Sequence, residues 1–438
     1  MTNDYRSRIV SADEAVSHVQ SGQRVYVHNG CAEPIELVKA LTRRGPALQD
    51  VELVHMATMG IADYSLPEHE GHFRTNALFI GGNVRRAIQE GRGDYTPIFL
   101  SEIEGLFSSG ALPIDVALLQ CTPPDSYGFM SLGPSVDVTM AAAQCARHVI
   151  VEINDQVPRT LGDAFLHVSR VNTFIETSHP LAEYPQHQVT EQHRAIARNI
   201  ASLIPDGATI QTGIGGIPEA TLALLGNHKD LGIHSEMVPD GAIDLIRAGV
   251  VNGERKTLHP NKVITGFVLG SKRLFDFIDN NPMFEFHPTA YCNDPVVIAR
   301  NDRMVAINSA IEVDLTGQVC SDSMGQTIYS GIGGQVDFLR GAARAKGGVP
   351  IIALPSTARH GTVSRIAMML QPGAGVVTSR GDVHYVVTEH GVAYLHGKTL
   401  RQRAEALIQV ADPKFQGELE AFAIERKLLS RDRSTVPV

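Results

Sequence analysis

The tetrapeptide Gly-Ile-Gly-Gly occurs twice in the sequence, at 213–216 and at 331–334, and each copy precedes a helix-like run. The first copy also follows a strand-like run, and Pro218 lies in the first turn of its helix. A glycine loop at a helix N-terminus exposes backbone N–H groups, which suit a phosphate or an oxyanion. One such loop is equally well explained by a tight strand–helix turn, but its recurrence favours an anion or oxyanion role.

The segment HSEMVPDGAIDL (234–245) carries a candidate nucleophile, Glu236, at the end of a short apolar strand. Asp240 and Gly241 follow it and open the next helix. In an open α/β fold, a carboxylate at that end of a strand points into the usual ligand crevice. Carboxylates can form covalent intermediates, but a carboxylate near a helix N-terminus also stabilises the helix dipole. For Glu236 alone, the residues favour the structural role.

Other chemistry-bearing patterns are weak. The first glycine loop lacks the GxGxxG spacing and the Lys-Ser/Thr pair of a Walker loop, and no GxSxG is present. The histidines of HEGH (69–72) lack the HExxH spacing of a zinc site. The five cysteines form no CxxC pair, and their number is odd. We therefore expect no metal site and no disulfide framework.

Short β-rich runs alternate with amphipathic helical stretches, which predicts mostly parallel sheets covered by helices. The first half has expected strands at 25–30, 51–60, 116–125 and 148–155, and a helix at 34–45. The second half has a helix at about 192–204, a strand followed by a glycine-rich loop over 208–216, and strands at 231–237, 349–356, 375–379 and 383–393. It also has a hairpin over 303–319, a helix at 240–251, and helices from Thr399 onward.

A polar, non-periodic stretch with two prolines separates the halves. We expect an N-terminal α/β domain over 1–180, a linker over 181–192 and a C-terminal α/β domain over 193–438. A chain of 438 residues, 43% hydrophobic and 19% charged, is long enough for two or three such domains. This composition excludes wholesale disorder, collagen and coiled coil.

The net charge, the apolar segments and the cysteines indicate which partners and which location to expect. The formal net charge of −9 argues against binding to a nucleic acid, because the phosphate backbone requires a basic face. No run of about 18 apolar residues and no apolar N-terminal segment is present, so we expect no membrane association. Unpaired cysteines fit a reducing compartment, which predicts a cytoplasmic protein.

Long ordered segments of the sequence resemble the family I CoA-transferases, in their acetyl-CoA hydrolase/transferase branch. The resemblance covers nearly the whole chain. It is carried by GDYTPIFLSEIEGLF (93–107), DVALLQCTPPDSYGFMSLG (115–133), IETSHPLAEYP (175–185), GIGGIPEA (213–220), GIHSEMVPDGAIDLI (232–246), HPNKVITGFVLGSKRLFDFIDNNP (259–282), SGIGGQVDFLRGA (330–342), ALPSTARHGTVSRI (353–366) and TEHGVAYLHGKTLRQRA (388–404). The resemblance implies two open α/β domains with the active site in the crevice between them.

The resemblance also implies the site residues. The family's catalytic glutamate corresponds to Glu236, which lies before an aspartate–glycine pair. The family's CoA-contacting loop corresponds to Gly213, Ile214, Gly215, Gly216 and Ile217. Its second loop corresponds to Gly331, Gly333 and Gly334, with Gly331 and Gly333 contacting CoA and Gly333 and Gly334 forming the oxyanion and thioester pocket. Ala310, in INSAIEV, is expected near the CoA.

The implied activity is ping-pong transfer of CoA from an acyl-CoA, acetyl-CoA foremost, to a short-chain carboxylate such as 4-hydroxybutyrate or butyrate, through a glutamyl-CoA thioester. The resemblance implies no permanently bound cofactor, with CoA and acyl-CoA as substrates. The expected partners are acyl-CoA and small carboxylates, and the expected assembly is a homodimer or homotetramer. Two alternatives stay open. One is an acyl-CoA hydrolase that uses the same glutamate with water as the final acceptor, and the other is a non-catalytic CoA-binding regulator.

Overall fold

Two large parallel sheets, each with helices around it, form the framework of the chain in the computed structural model, which describes residues 5–430. The outer ends of the expected domains, residues 1–4 and 431–438, lie outside the described residues. The predicted α/β class is confirmed by this architecture.

The first sheet has seven strands in the order β4-β3-β2-β1-β5-β7-β9, all parallel, while β6 and β8 form a separate antiparallel pair. The strands are β1 (Arg24–Val27), β2 (Val51–His55), β3 (Phe73–Ala77), β4 (Gly93–Tyr95), β5 (Val116–Cys121), β6 (Phe129–Ser131), β7 (His148–Asn154), β8 (Phe165–His167) and β9 (Thr173–Thr177).

The second sheet has eight strands in the order β13-β12-β11-β10-β14-β19-β23-β24, and only β24 runs antiparallel to its neighbour. The remaining strands form small two- and three-stranded sheets. The strands are β10 (Thr209–Gln211), β11 (Gly232–Val238), β12 (Val263–Val268), β13 (Phe284–Phe286), β14 (Met304–Ser309), β15 (Glu312–Asp314), β16 (Val319–Cys320), β17 (Ser323–Met324), β18 (Thr327–Ile328), β19 (Val349–Ala353), β20 (Thr357–Ala358), β21 (Val363–Ser364), β22 (Ile366–Ala367), β23 (Tyr385–Thr388) and β24 (Gly391–Tyr394).

The α-helices are mostly short and amphipathic, and they cover the sheets. They are α1 (Ala12–Ala15), α2 (Ile35–Arg43), α3 (Arg85–Gln89), α4 (Ile103–Ser108), α5 (Thr139–Cys145), α6 (Glu191–Ala201), α7 (Gly216–Leu224), α8 (Gly241–Arg247), α9 (Lys272–Ile278), α10 (Thr289–Cys292), α11 (Pro295–Ile298), α12 (Gln335–Arg344), α13 (Leu400–Gln409) and α14 (Pro413–Glu425). None of these helices is long and apolar enough to cross a membrane.

The two sheets share one order of connection. In each, the first strand is central, the next strands follow on one side in sequence, and the chain then crosses to the other side, so that β10 lies between β11 and β14 as β1 lies between β2 and β5. Such a reversal opens a crevice at the carboxyl ends of the strands, which is the usual ligand site of open α/β sheets. The loop after β10 lies at this point.

Burial explains why the strands form where they do. All six residues of β5 are buried, as expected for a parallel strand covered on both faces. In β11, every residue is buried except Glu236, which keeps part of its surface accessible. Glu236 is therefore the position at which this strand keeps contact with solvent.

The predicted hairpin over 303–319 is correct only in part, because β15 and β16 form an antiparallel pair near its end but β14 does not belong to that pair. β14 pairs in parallel with β10 and β19 in the middle of the second sheet, whereas β15 pairs with β16 and β22 in a small separate sheet. The reason is that the apolar run of β14 is buried from Met304 to Ile307 and needs cover on both faces, which a two-stranded hairpin could not provide.

Two further strand predictions are corrected. The described chain has no strand at 375–379, where only a single bridge joins Thr378 to Val319. The run 383–393 is split into β23 and β24, which pair antiparallel around a turn at Glu389 and His390. The glycine at 391 begins the return strand, so the apolar pattern on both sides of the turn belongs to two strands.

The two sheets are joined by one continuous apolar core. Its buried residues come from both halves, for example Val54 and Leu119 from the first and Ile233 and Val268 from the second. The stretch between β9 and α6 has no helix or strand, and Tyr184 within it donates its backbone N–H to the Gly270 carbonyl oxygen. The division at 181–192 stays a prediction.

Candidate active site

The candidate site residues of the second half gather at the carboxyl ends of three neighbouring strands. Glu236 lies near the end of β11, the first glycine loop follows β10, and Ala310 follows β14. The Ser235 hydroxyl donates to the Thr212 carbonyl oxygen at 3.1 Å, so the base of the first glycine loop is tied to the residue before Glu236.

Two donors converge on the carboxylate of Glu236. The side-chain amide of Asn293 donates to Glu236 Oε2 at 2.9 Å, and the backbone N–H of Gly334 is the second donor. A Cβ atom at position 334 would lie 2.0 Å from Glu236 Oε2 and 2.2 Å from Asn293 Nδ2. Only glycine therefore allows the second loop to approach Glu236 this closely.

The electrostatic environment of Glu236 disfavours its charge. Burial raises the pKa of Glu236 to about 7, and the negative charge of Asp137 adds to the rise. The hydrogen bonds from Asn293 and Gly334 oppose it by stabilising the carboxylate. The result is a poorly solvated carboxylate that ionises around neutral pH, which suits a nucleophile that becomes neutral when acylated.

The second glycine loop is held in place by the first half of the chain. Ile80 donates its backbone N–H to the Ser330 carbonyl oxygen at 3.1 Å, and Leu100 donates to the Gly333 carbonyl oxygen at 3.2 Å. The Ile332 N–H donates to the Tyr95 hydroxyl at 3.1 Å. The loop is thus positioned beside Glu236 by contacts across the junction between the two halves.

Phe79 supports the same loop with its ring. A Cβ at position 331 would lie 2.9 Å from this ring and one at position 333 would lie 3.2 Å from it, and Gly333 also has a φ of +60°. The structure thus packs Gly331 and Gly333 against Phe79, and it brings Gly334 against Glu236.

The first glycine loop is open on its outer side. A Cβ at position 213 or 215 would meet no atom within 4 Å, whereas one at position 216 would collide with the His193 ring of α6. A cavity of about 200 Å³ adjoins this loop and is lined by Ile214 among others. The loop therefore presents free backbone beside a space that a ligand can enter.

Ala310 follows β14, which lies on the opposite side of β10 from β11 and Glu236. It is 7% exposed and belongs to the apolar cluster that includes Val313 and Leu354. The carbonyl oxygen of the preceding residue, Ser309, accepts a 2.6 Å hydrogen bond from the Gln335 side chain, which directly follows Gly334. Ala310 is thereby linked to the base of the second glycine loop.

Sequence reasoning missed the partners of Glu236. Asn293 lies 57 positions from it, in the turn after the short helix α10, and Asp137 comes from the first half. Asp137 is fully buried and accepts hydrogen bonds from Asn29, the Thr139 N–H and the Thr139 hydroxyl at 2.9–3.0 Å. No motif marks either residue. Across residues 5–430, no three histidine, cysteine, aspartate or glutamate side chains are grouped to hold a metal ion.

Comparison with known protein families shows which family the chain matches. Residues 1–183 match the acetyl-CoA hydrolase/transferase N-terminal domain, and residues 270–423 match the acetyl-CoA hydrolase/transferase C-terminal domain. Together these matches cover well over half of the chain. They confirm the resemblance stated from the motifs.

Individual relatives are similar to this chain over nearly its full length. The 4-hydroxybutyrate coenzyme A transferase of Clostridium kluyveri is 52% identical over 415 residues, which cover 95% of this chain and 97% of that protein. The succinyl-CoA:acetate/propanoyl-CoA:succinate CoA transferase of Fasciola hepatica is 51% identical over 421 residues, covering 95% and 87%.

Among solved structures, the 4-hydroxybutyrate CoA-transferase from Porphyromonas gingivalis superposes with a TM-score of 0.84 at 43% identity, over 97% of this chain and 98% of that chain. The predicted fold of two α/β domains of the CoA-transferase type is therefore confirmed. The chain belongs to the acetyl-CoA hydrolase/transferase family and is a CoA-transferase.

Proposed function

We propose that this chain moves coenzyme A from an acyl-CoA, acetyl-CoA foremost, to a short-chain carboxylate such as 4-hydroxybutyrate or butyrate, by way of a thioester on Glu236. The observation that carries the proposal is the carboxylate of Glu236, poorly solvated and met by two donors, Asn293 and Gly334, at the junction of the two halves. The 52% identity to a 4-hydroxybutyrate transferase supports the choice of acceptor.

The reaction begins with attack by a carboxylate oxygen of Glu236 on the thioester carbonyl carbon of the acyl-CoA. The carbon–sulfur bond breaks, the CoA thiolate leaves with the electron pair, and a mixed anhydride remains on Glu236. The thiolate then attacks the glutamyl carbonyl and expels the first carboxylate. The acceptor carboxylate runs the same steps in reverse, so the kinetics are ping-pong.

Each of these steps passes through a tetrahedral oxyanion. The donors that already meet Glu236, the Asn293 amide and the backbone N–H of Gly334, are positioned to stabilise an oxyanion derived from the glutamyl carbonyl. Gly333 shapes the same loop, and we assign the thioester pocket to Gly333 and Gly334. Loss of one such donor typically costs about 3–4 kcal/mol of transition-state stabilisation.

The CoA moiety is assigned to the two glycine loops. The free outer side of residues 213–217 and the cavity beside Ile214 support contact with CoA there, and Gly331, Gly333 and Ala310 complete the proposed binding residues. Binding energy from the long CoA moiety can be used at the reacting carbonyl. CoA enters as a substrate, and the proposal includes no permanently bound cofactor.

The test is covalent trapping. Wild type and Glu236→Gln are mixed with acetyl-CoA, treated with borohydride and measured by intact mass and peptide mapping, with Glu254→Gln, an exposed glutamate of the same half, as the control. We expect reduction of the glutamyl thioester to a primary alcohol at Glu236 in wild type and in the control, but not in Glu236→Gln.

The same samples show whether a carboxylate or water is the final acceptor of the reaction. Formation of butyryl-CoA or 4-hydroxybutyryl-CoA after addition of the corresponding acid supports transfer. Labelling that leads only to free CoA and acetate would replace transfer by hydrolysis. Binding of CoA without any labelling of wild type would overturn the role of Glu236 and favour a binding protein.

Assembly and location complete the proposal. We propose a homodimer or homotetramer in the cytoplasm. The five free cysteines, four of them buried, are in keeping with a reducing compartment. The molecular mass in solution tests the assembly.

A further inference from the structure

A second buried carboxylate, Asp337, lies in the first turn of α12, three residues after Gly334. It accepts two hydrogen bonds from Ser101 of the first half, from the hydroxyl at 2.9 Å and from the backbone N–H at 3.2 Å. In residues 5–430, Asp337 forms no ion pair with a lysine, arginine or histidine. A buried carboxylate held only by neutral donors is costly to keep and calls for a role.

The charged groups that face Asp337 come from three elements. Glu236 of β11 and Glu102, directly after Ser101, repel its charge. Arg340, one turn further along α12, attracts it but is hydrogen-bonded to Asp382 at 3.1 Å. Burial raises the pKa of Asp337 to about 7, the Ser101 hydrogen bonds oppose this, and the charge of Glu236 adds to it. Asp337 and Glu236 therefore disfavour each other's ionisation.

Resting on the proposed function, we propose that Asp337 is a positioning residue of the transfer reaction. Through Ser101 it fixes the second glycine loop beside Glu236, and its negative charge favours the neutral thioester of Glu236 over the free carboxylate.

The charge balance of the half-reaction gives the physical reason. A Glu236 carboxylate and a neutral acyl-CoA become a neutral glutamyl-CoA thioester and a free carboxylate, so the negative charge departs with the released acid. Repulsion between Asp337 and Glu236 exists before this step and is gone after it. The charge of Asp337 therefore shifts the equilibrium toward the thioester without touching the substrate.

The test compares wild type with Asp337→Asn, which keeps an oxygen acceptor for Ser101 but removes the charge. The thioester fraction is measured by intact mass at a fixed ratio of acetyl-CoA to acetate. We expect the ratio of thioester to free enzyme to fall roughly 3- to 10-fold, since one pKa unit corresponds to a tenfold change. The acid limb of kcat/KM, which reports ionisation of Glu236, should move to lower pH by about 0.5–1 unit.

Ser101→Ala provides a second variant, which decides the matter if Asp337→Asn does not fold. Loss of the hydroxyl removes a hydrogen bond that lowers the pKa of Asp337, so Asp337 holds its proton to higher pH. The acid limb should then move in the same direction as in Asp337→Asn, but less. Asp276→Asn, an exposed carboxylate paired with Lys272, is the control for charge removal and should match wild type.

The outcomes separate this inference from the proposed function. If wild type forms the thioester and the variants keep the wild-type thioester ratio and acid limb, Asp337 is only a structural contact and the inference is wrong. An acid limb that moves to higher pH would also overturn it. Failure of wild type itself to form a thioester would overturn the proposed function.

Discussion

At the scale of the residue, the proposed reaction depends on how little stabilises the charge of Glu236. Among residues 5–430 its carboxylate has two donors, while the negative charge of Asp137 adds to the rise of its pKa, and Glu236 and Asp337 repel each other's charge. A raised pKa makes the carboxylate a stronger nucleophile, and the penalty of its charge disappears when it is acylated. The two donors keep enough of the carboxylate ionised at neutral pH for attack.

Asn293→Ala tests this balance. The loss of one donor to the oxyanion should lower kcat by about 10²- to 10³-fold. The lost hydrogen bond also stabilised the carboxylate, so the pKa of Glu236 should rise above about 7 and the acid limb of kcat/KM should move to higher pH. Steady-state kinetics across pH check both effects.

Asn301→Ala is the matched control, because Asn301 is also a buried asparagine of the second half, and within residues 5–430 its amide donates only to the Ile298 carbonyl oxygen. It should lose stability without a shift of the acid limb. An Asn293→Ala enzyme with wild-type kcat would exclude Asn293 from the reaction.

At the scale of the element, the two glycine loops have the same sequence but different surroundings. The loop at 331–334 is enclosed between Glu236 and the first half of the chain, whereas the loop at 213–216 is open on its outer side. The difference arises because α12 begins at the junction between the halves, where residues 80, 95 and 100 meet the loop.

Gly334→Ala should abolish transfer while leaving the fold intact. The backbone at Gly334 has a φ of −95°, so alanine causes no strain there, but its Cβ would lie 2.0 Å from Glu236 Oε2. The Glu236 side chain must move, and we expect kcat to fall by at least about 10²-fold, as when a catalytic geometry is displaced by an ångström.

Two other glycine variants serve as controls for Gly334→Ala, and all three are measured by circular dichroism and steady-state kinetics. Gly226→Ala meets no atom within 4 Å and should retain full activity. Gly213→Ala is equally free of clashes and should raise KM for acyl-CoA more than it lowers kcat. A Gly334→Ala enzyme as active as Gly226→Ala would contradict the assigned contact.

At the scale of the whole molecule, the site exists only while the halves are together. Glu236 and Asn293 belong to the second half, but the loop that meets them is held by residues 79–101 of the first. One apolar core runs through both halves. Separation of the halves would therefore expose apolar surface and, at the same time, displace the second glycine loop from Glu236.

We expect the two halves to unfold in one cooperative transition. Scanning calorimetry of the full chain should give a single peak. The calorimetric enthalpy per cooperative unit should equal the van't Hoff enthalpy, as expected for a two-state transition. Two separated peaks would show that the halves are independently stable and would favour the domain division at 181–192 as a thermodynamic boundary.

The sequence by itself determined the α/β class, most strands and helices, both glycine loops and, through the family motifs, the choice of Glu236 as the proposed nucleophile. These features depend on neighbouring residues, since periodicity and glycine turns are local. The tertiary structure alone brought Asn293 to Glu236, 57 positions away, and Ser101 to Asp337, 236 positions away. It also decided that β14 is a central strand rather than half of a hairpin, because the pairing of a buried strand depends on the partners that cover it, and these are distant along the chain.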